Sequence, residues 1–183
     1  MSLIYSKMVN LGFRAPEFSL PDTITGKTLH LSEIKSEVAT VVMFICNHCP
    51  FVHHVNNKLV EIAKKYESKS IQFIAISSND VDYYPQDSPK MMKSVAANNG
   101  YNFPYLYDET QNVAKSYQAE CTPDFFVFDK DLLLVYRGRF DETRPNLGIA
   151  SGKELSAALD AIINKTKIPE IQHPSIGCSI KWK

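Results

Sequence analysis

The run Thr40-Val41-Val42-Met43-Phe44-Ile45 passes directly into Cys46-Asn47-His48-Cys49 and then into Pro50, where a long helical pattern begins. β-Branched and aromatic residues in unbroken succession read as a buried strand. Beyond Pro50 the apolar residues Val52, Val55, Leu59, Ile62, Ala63 and Tyr66 recur at three- and four-residue steps, which predicts an amphipathic helix of about five turns. A Cys-x-x-Cys pair at the end of a strand and the mouth of a helix is the geometry of a thiol-disulfide redox centre.

A reactive sulfur must be a thiolate, and a free cysteine ionises only near about pH 8.5. A helix N-terminus supplies unpaired N–H groups and the positive end of the macrodipole. That dipole is worth about 0.3–1 kcal/mol, roughly one pKa unit at most when exposed. His48 is the second candidate, since a protonated or N–H-donating imidazole favours a nearby anion. Pro50 belongs at the first helical position, which makes Cys49 the cap. The first cysteine of such a motif is normally the more exposed, so Cys46 is expected to attack and Cys49 to resolve.

The 183-residue chain fits one domain with a core over about residues 15–165 and a C-terminal tail at 166–183. Twenty basic and twenty acidic side chains cancel, so no global charge points to nucleic acid or a membrane surface. The N-terminal residues lack the basic start and apolar run of a secretory signal, which makes the cytosol the expected compartment. Four cysteines are too few for a disulfide scaffold, so the close pair reads as catalytic or metal-binding.

Along the chain, residues 15–31 suggest two short strands about a turn, and Ile71–Ser77 a second buried strand parallel to the first, because a helix intervenes. Ser88-Pro89 opens a helix that Gly100 ends, and a shorter helix follows at 111–118. Phe125 to Arg137 forms a hairpin turning at Asp129-Lys130-Asp131, and Lys153–Lys165 a final helix. This order predicts an α/β fold, a central mixed sheet flanked by helices on both faces, with an N-terminal β extension.

With Cys-x-x-Cys after the first core strand and Cys121-Thr122-Pro123 before the hairpin, the order resembles the thioredoxin fold. The resemblance implies a cis proline at Pro123, facing the dithiol and presenting backbone groups to a substrate chain. Ala15-Pro16-Glu17-Phe18-Ser19-Leu20, Gly26 and Leu31-Ser32 look like the opening of the AhpC/TSA and resident thiol-disulfide oxidoreductase branches. Cys46-Asn-His-Cys-Pro-Phe-Val52, Tyr136-Arg-Gly-Arg-Phe-Asp141, Thr143-Arg144-Pro145 and the tail from Pro174 to Lys183 are similar to a peroxiredoxin-like group carrying Cys-x-x-Cys. The departures are informative. Ile45 replaces the usual Trp, and Thr40 stands where thioredoxins bury a carboxylate, leaving Glu120 or His48 as proton shuttles. The peroxiredoxin pattern Pro-x-x-x-Thr-x-x-Cys is also absent: counted back from Cys49, Cys46 takes the threonine's place and Val42 the proline's.

Three functions follow for Cys46, Cys49, His48, Thr122 and Pro123. The leading expectation is a thiol-disulfide oxidoreductase needing no cofactor or metal, acting on a disulfide-containing protein or small disulfide and recharged by a thiol reductant. The alternatives are a thiol peroxidase, resolved by the neighbouring cysteine or by Cys178, and a metal- or partner-binding module using Cys121, His53 or His54 as further zinc ligands. Cys178 reads equally as an accessible thiol or as part of a tail that docks Trp182. Arg137, Arg139 and Arg144 are candidate anion binders, with solvated or paired arginines the commoner outcome.

Overall fold

The computed structural model describes residues 3–183. In chain order its elements are β1 (Leu3–Tyr5), β2 (Ser19–Pro21), β3 (Thr28–His30), α1 (Leu31–Ile34), β4 (Ala39–Phe44), α2 (Pro50–Glu67), β5 (Ile71–Ser77), α3 (Pro89–Asn99) and β6 (Tyr105–Tyr107). There follow α4 (Asn112–Tyr117), β7 (Cys121–Thr122), β8 (Asp124–Asp129), β9 (Leu134–Gly138), α5 (Lys153–Ile163) and β10 (Ile176–Ser179). The central sheet runs β6-β5-β4-β8-β9, with β4, β5 and β6 parallel and β8 and β9 antiparallel to their neighbours.

Strand β4 is buried along its whole length because both faces are covered. Alternation sends Val41, Met43 and the following Ile45 into a cluster with Val55 and Leu59 of α2 and Leu155 and Leu159 of α5. Val42 and Phe44 point the other way, toward Leu31 and toward Ala114 and Tyr117 of α4. The mixed sheet with helices on both faces is therefore as the sequence predicts. Cys49 is the extended cap of α2, with Pro50 at the first helical position. Gly100, in the left-handed region at φ 65°, closes α3.

The C-terminal tail carries a strand. Strand β10 lies between β1 and β7 in a separate antiparallel sheet, with Cys178 opposite both Leu3 and Thr122. Cys178 is consequently 2 % exposed, not an accessible thiol. Gly177 makes this possible: a Cβ there would lie 2.0 Å from the Thr122 carbonyl oxygen and 2.7 Å from its carbon. No L side chain fits without moving backbone.

Gly177→Ala is accordingly expected to destabilise the protein by about 1–3 kcal/mol through overpacking. At about 2–4 °C per kcal/mol for a chain of this size, a circular-dichroism melt should show a fall of several degrees. An unchanged melting temperature would mean the strand does not sit this tightly.

Candidate functional site

Strand β4 delivers the dithiol to the rim of the sheet. Past Phe44 one further backbone bond, from Ile45 N–H to the Ile76 carbonyl, holds the chain before it turns into α2. On the opposite side the Thr122–Pro123 peptide is cis. Thr122 Oγ1 lies 3.4 Å from Cys46 Sγ, and its carbonyl oxygen 3.2 Å from Cys49 Sγ. Thr122 thus contacts both Cys46 and Cys49, and Pro123 follows it across the cis bond. All four cysteines are thiols, and all are buried.

Cys49 is the middle sulfur. Its Sγ lies 3.0 Å from Cys178 Sγ, and the Cys46 thiol is near enough to favour its ionisation. Hydrogen bonds from Cys178, Cys46 and Thr122, with the Val52 amide nearby, hold the Cys49 thiol far below the usual range, against the cost of burial. The Thr122 carbonyl opposes this charge, but one acceptor is outweighed by several donors. The amide acts without a formal cap hydrogen bond. The same bonds push the partners the other way: the Cys46 thiol is raised by its hydrogen bond to Cys49, by burial and by Asp87, and Cys178 by Cys49 and by burial. The three thiols titrate as a coupled set in which Cys49 is favoured to ionise and its two neighbours are disfavoured. Cys121, raised by burial, faces the Pro123 carbonyl at 3.8 Å.

His48, with a ring nitrogen within 4.8 Å of Cys46 Sγ, is held by Asp87, a residue that sequence reasoning missed. His48 Nδ1 lies 2.6 Å from Asp87 Oδ2. The same carboxylate accepts the backbone N–H groups of Asn47 (2.8 Å) and His48 (3.3 Å) and the Asn79 side-chain amide (2.8 Å). Tyr84 stacks on the imidazole at 5.3 Å. Asp87 sits forty-one residues beyond Cys46 in a Pro-rich turn, and nothing in its spacing ties it to the motif. Cys46, His48 and Asp87 offer atoms within 4.8 Å of one another, but the Asp87 oxygens already accept these donors. His53 and His54 turn to the Asn47 carbonyl and the Thr143 hydroxyl.

A cavity of about 230 Å³ opens beside Cys46, lined in part by Asn47, His53, Asn56, Asn99 and Tyr101. A larger hollow of about 710 Å³, near Asp22, Glu33 and Tyr101, contains no sulfur. Of the candidate shuttles, Glu120 pairs with Lys7 at 2.6 Å. Arg139 is held by Glu154 through two oxygens, and Arg137 donates to the Val9 carbonyl. The buried carboxylate absent from β4 has a counterpart in Asp124, which follows the cis proline. Full burial pushes it up to about 7, partly offset by Ser175, Arg137 and Ser6, and one of its oxygens finds no protein donor.

Comparison with known proteins matches residues 11–137 to the AhpC/TSA family. The chain is similar to the crystal structure of an uncharacterized conserved protein from Geobacillus kaustophilus, with 56% identity, TM-score 0.98 and coverage of 100% of this chain and 97% of the other. It is 24% identical to the thiol-disulfide oxidoreductase ResA of Bacillus thuringiensis, over 76% of this chain and 75% of that protein. A secreted Mycobacterium tuberculosis disulfide oxidoreductase homologous to E. coli DsbE superposes at TM-score 0.61 with 19% identity, over 79% of this chain and 95% of the other. The fold is the thioredoxin fold expected from the sequence.

Asp124 carries a pH prediction. Its carboxyl, raised from 3.8 to about 7, binds its proton more tightly in the folded state. The stability this contributes is complete below pH 3.8 and is lost as pH rises through about 7. Asp124→Asn removes this titration, worth at most about 4 kcal/mol. Thermal melts at about pH 5 and about pH 8 should show the parent losing more stability than the variant over that interval. Equal losses would exclude a raised Asp124.

Proposed function

The chain belongs to the AhpC/TSA family, and we propose that it is a thiol-disulfide oxidoreductase working through the Cys46/Cys49 Cys-x-x-Cys couple. The observation that carries this reading is the pair of thiols that both contact Thr122 beside the cis peptide, Cys46 at its hydroxyl and Cys49 at its carbonyl.

The division of labour follows from access and charge. Cys46 borders the cavity, whereas Cys49 has no exposed surface and holds the negative charge. As a substrate disulfide reaches Cys46, its S–H proton passes to the Cys49 thiolate, and Cys46 Sγ attacks the nearer substrate sulfur. The substrate S–S bond breaks, one half leaves as a thiolate, and the other stays bound to Cys46 as a mixed disulfide. The Thr122 hydroxyl, 3.4 Å from Cys46 Sγ, can donate to that sulfur while it carries charge. Cys49 then returns its proton to the departing thiolate and attacks Cys46 Sγ; the Cys46–substrate bond breaks, and the second half leaves as a thiolate that takes its proton from solvent. The substrate gains two electrons, and the pair loses two as it becomes a disulfide. The reverse sequence oxidises a dithiol substrate.

The substrate in this proposal is a disulfide-bearing protein or small disulfide, and a thiol reductant restores the pair. The setting in this proposal is the cytosol. Among the described residues no helix is long and apolar enough to cross a membrane. Hydroperoxide reduction has less support, because Cys46 takes the place of the peroxide-binding threonine and Cys49 is wholly buried.

Cys49→Ser should accumulate a stable mixed disulfide on Cys46 when treated with an aromatic disulfide such as dithiobis(nitrobenzoate), seen by intact mass. Cys46→Ser should turn over a model disulfide at least about 100-fold more slowly than the parent. Turnover by Cys46→Ser at the parental rate would rule the mechanism out. In a separate titration of absorbance at 240 nm, the reduced parent at neutral pH should show about one thiolate that Cys49→Ser lacks.

A further inference from the structure

The structure brings a third sulfur to the dithiol. Cys178 Sγ is 3.0 Å from Cys49 Sγ, against a bonded S–S distance of about 2.05 Å. Closing the remaining gap takes about 1 Å, a displacement of side-chain rotation rather than of a strand. Cys178 does not reach Cys49 by chance of a loose tail. Strand β10 is paired on both edges, to β1 at Leu3 and to β7 at Thr122. Gly177 lets it lie against the backbone of the cis-proline loop. Cys178 is as closed off from solvent as Cys46, but only Cys46 lines the cavity.

We infer that Cys178 is a third redox residue, to which the disulfide formed between Cys46 and Cys49 migrates. The inference rests on the oxidoreductase reading and extends it. In the step, Cys178 Sγ attacks Cys49 Sγ, the Cys49–Cys46 bond breaks, and a Cys49–Cys178 bond forms. The proton lost by Cys178 is taken up by Cys46, which leaves as a thiolate and becomes a thiol. One disulfide and one thiol are present before and after, so the exchange needs no outside oxidant or reductant. Its product keeps the oxidising equivalent in the buried interior and returns a reduced Cys46 to the cavity. Cys49 can take part in either bond because it contacts both of the other sulfurs.

Disulfide mapping tests the exchange. Trypsin leaves Cys46 and Cys49 together on peptide 36–58, Cys121 on 116–130 and Cys178 on 168–181, so a bond to Cys178 joins two peptides. The full-length chain is oxidised with one equivalent of diamide, alkylated and digested without reductant. The expected result is a 36–58/168–181 linkage beside the internal Cys46–Cys49 form. In Cys46→Ala, oxidation should take the three remaining thiols to one, at Cys121, with Cys49 linked to Cys178 in a monomer. Cys46→Ser, closer in size to the parent, repeats the measurement if the alanine variant is misfolded by circular dichroism. Three surviving thiols, a bond to Cys121, or only intermolecular dimers would overturn the inference. If the internal Cys46–Cys49 disulfide forms and the parent turns over while no linkage to Cys178 appears, the third-sulfur role alone fails. If Cys46→Ser turns over like the parent, the underlying oxidoreductase reading fails instead.

Discussion

A sulfur anion needs donors, and at Cys49 they come from three directions. The first turn of α2 contributes the Val52 amide, β10 brings the Cys178 thiol, and the segment after β4 brings the Cys46 thiol, itself in contact with the Thr122 hydroxyl. Neither the helix alone nor a neighbouring histidine accounts for this. A macrodipole is worth about 1 kcal/mol at such a position, whereas several hydrogen bonds to a charged acceptor contribute about 1.5–3 kcal/mol each. The position of the charge, on the buried cysteine rather than the one beside the cavity, follows from which sulfur has the most donors.

The motif's other half is held by one buried carboxylate. Asp87 accepts hydrogen bonds from two successive backbone amides of the Cys-x-x-Cys loop and from His48 and Asn79. This arrangement fixes the loop between its cysteines and orients the imidazole, with Tyr84 packed across its face. It also sets a negative group near Cys46, opposing that cysteine's ionisation. His48 therefore acts with its partner as one unit, and its effect on Cys46 differs from that of an isolated cation.

The central strands and their helices were readable because each is long enough to show a period. The β4 run, the stripe from Val52 to Tyr66 and the Phe125-to-Arg137 hairpin all have their structural counterparts. Strands β1, β7 and β10 have two to four residues each, too few for a pattern, and they exist through pairing of the C-terminal segment with the N-terminal one and with the cis-proline loop. The same distance in sequence hid Asp87 from the motif it supports. Cys178 was visible as a residue type, but its burial beside Cys49 depends on Gly177 meeting Thr122 backbone to backbone. The buried carboxylate was sought at Thr40 by analogy, while Asp124 carries that character on the next strand of the sheet.

Four residues past Cys178 stands Trp182, the only tryptophan in the sequence. It is 39 % exposed, with the Lys115 ammonium 5.7 Å from its ring centre. Indole emission depends on solvation and on nearby charge, and both are set here by how the end of the chain lies against α4. The protein thus carries an intrinsic fluorophore on the same segment as a buried thiol of the cluster, so shifts of that segment can be followed optically without attaching a dye.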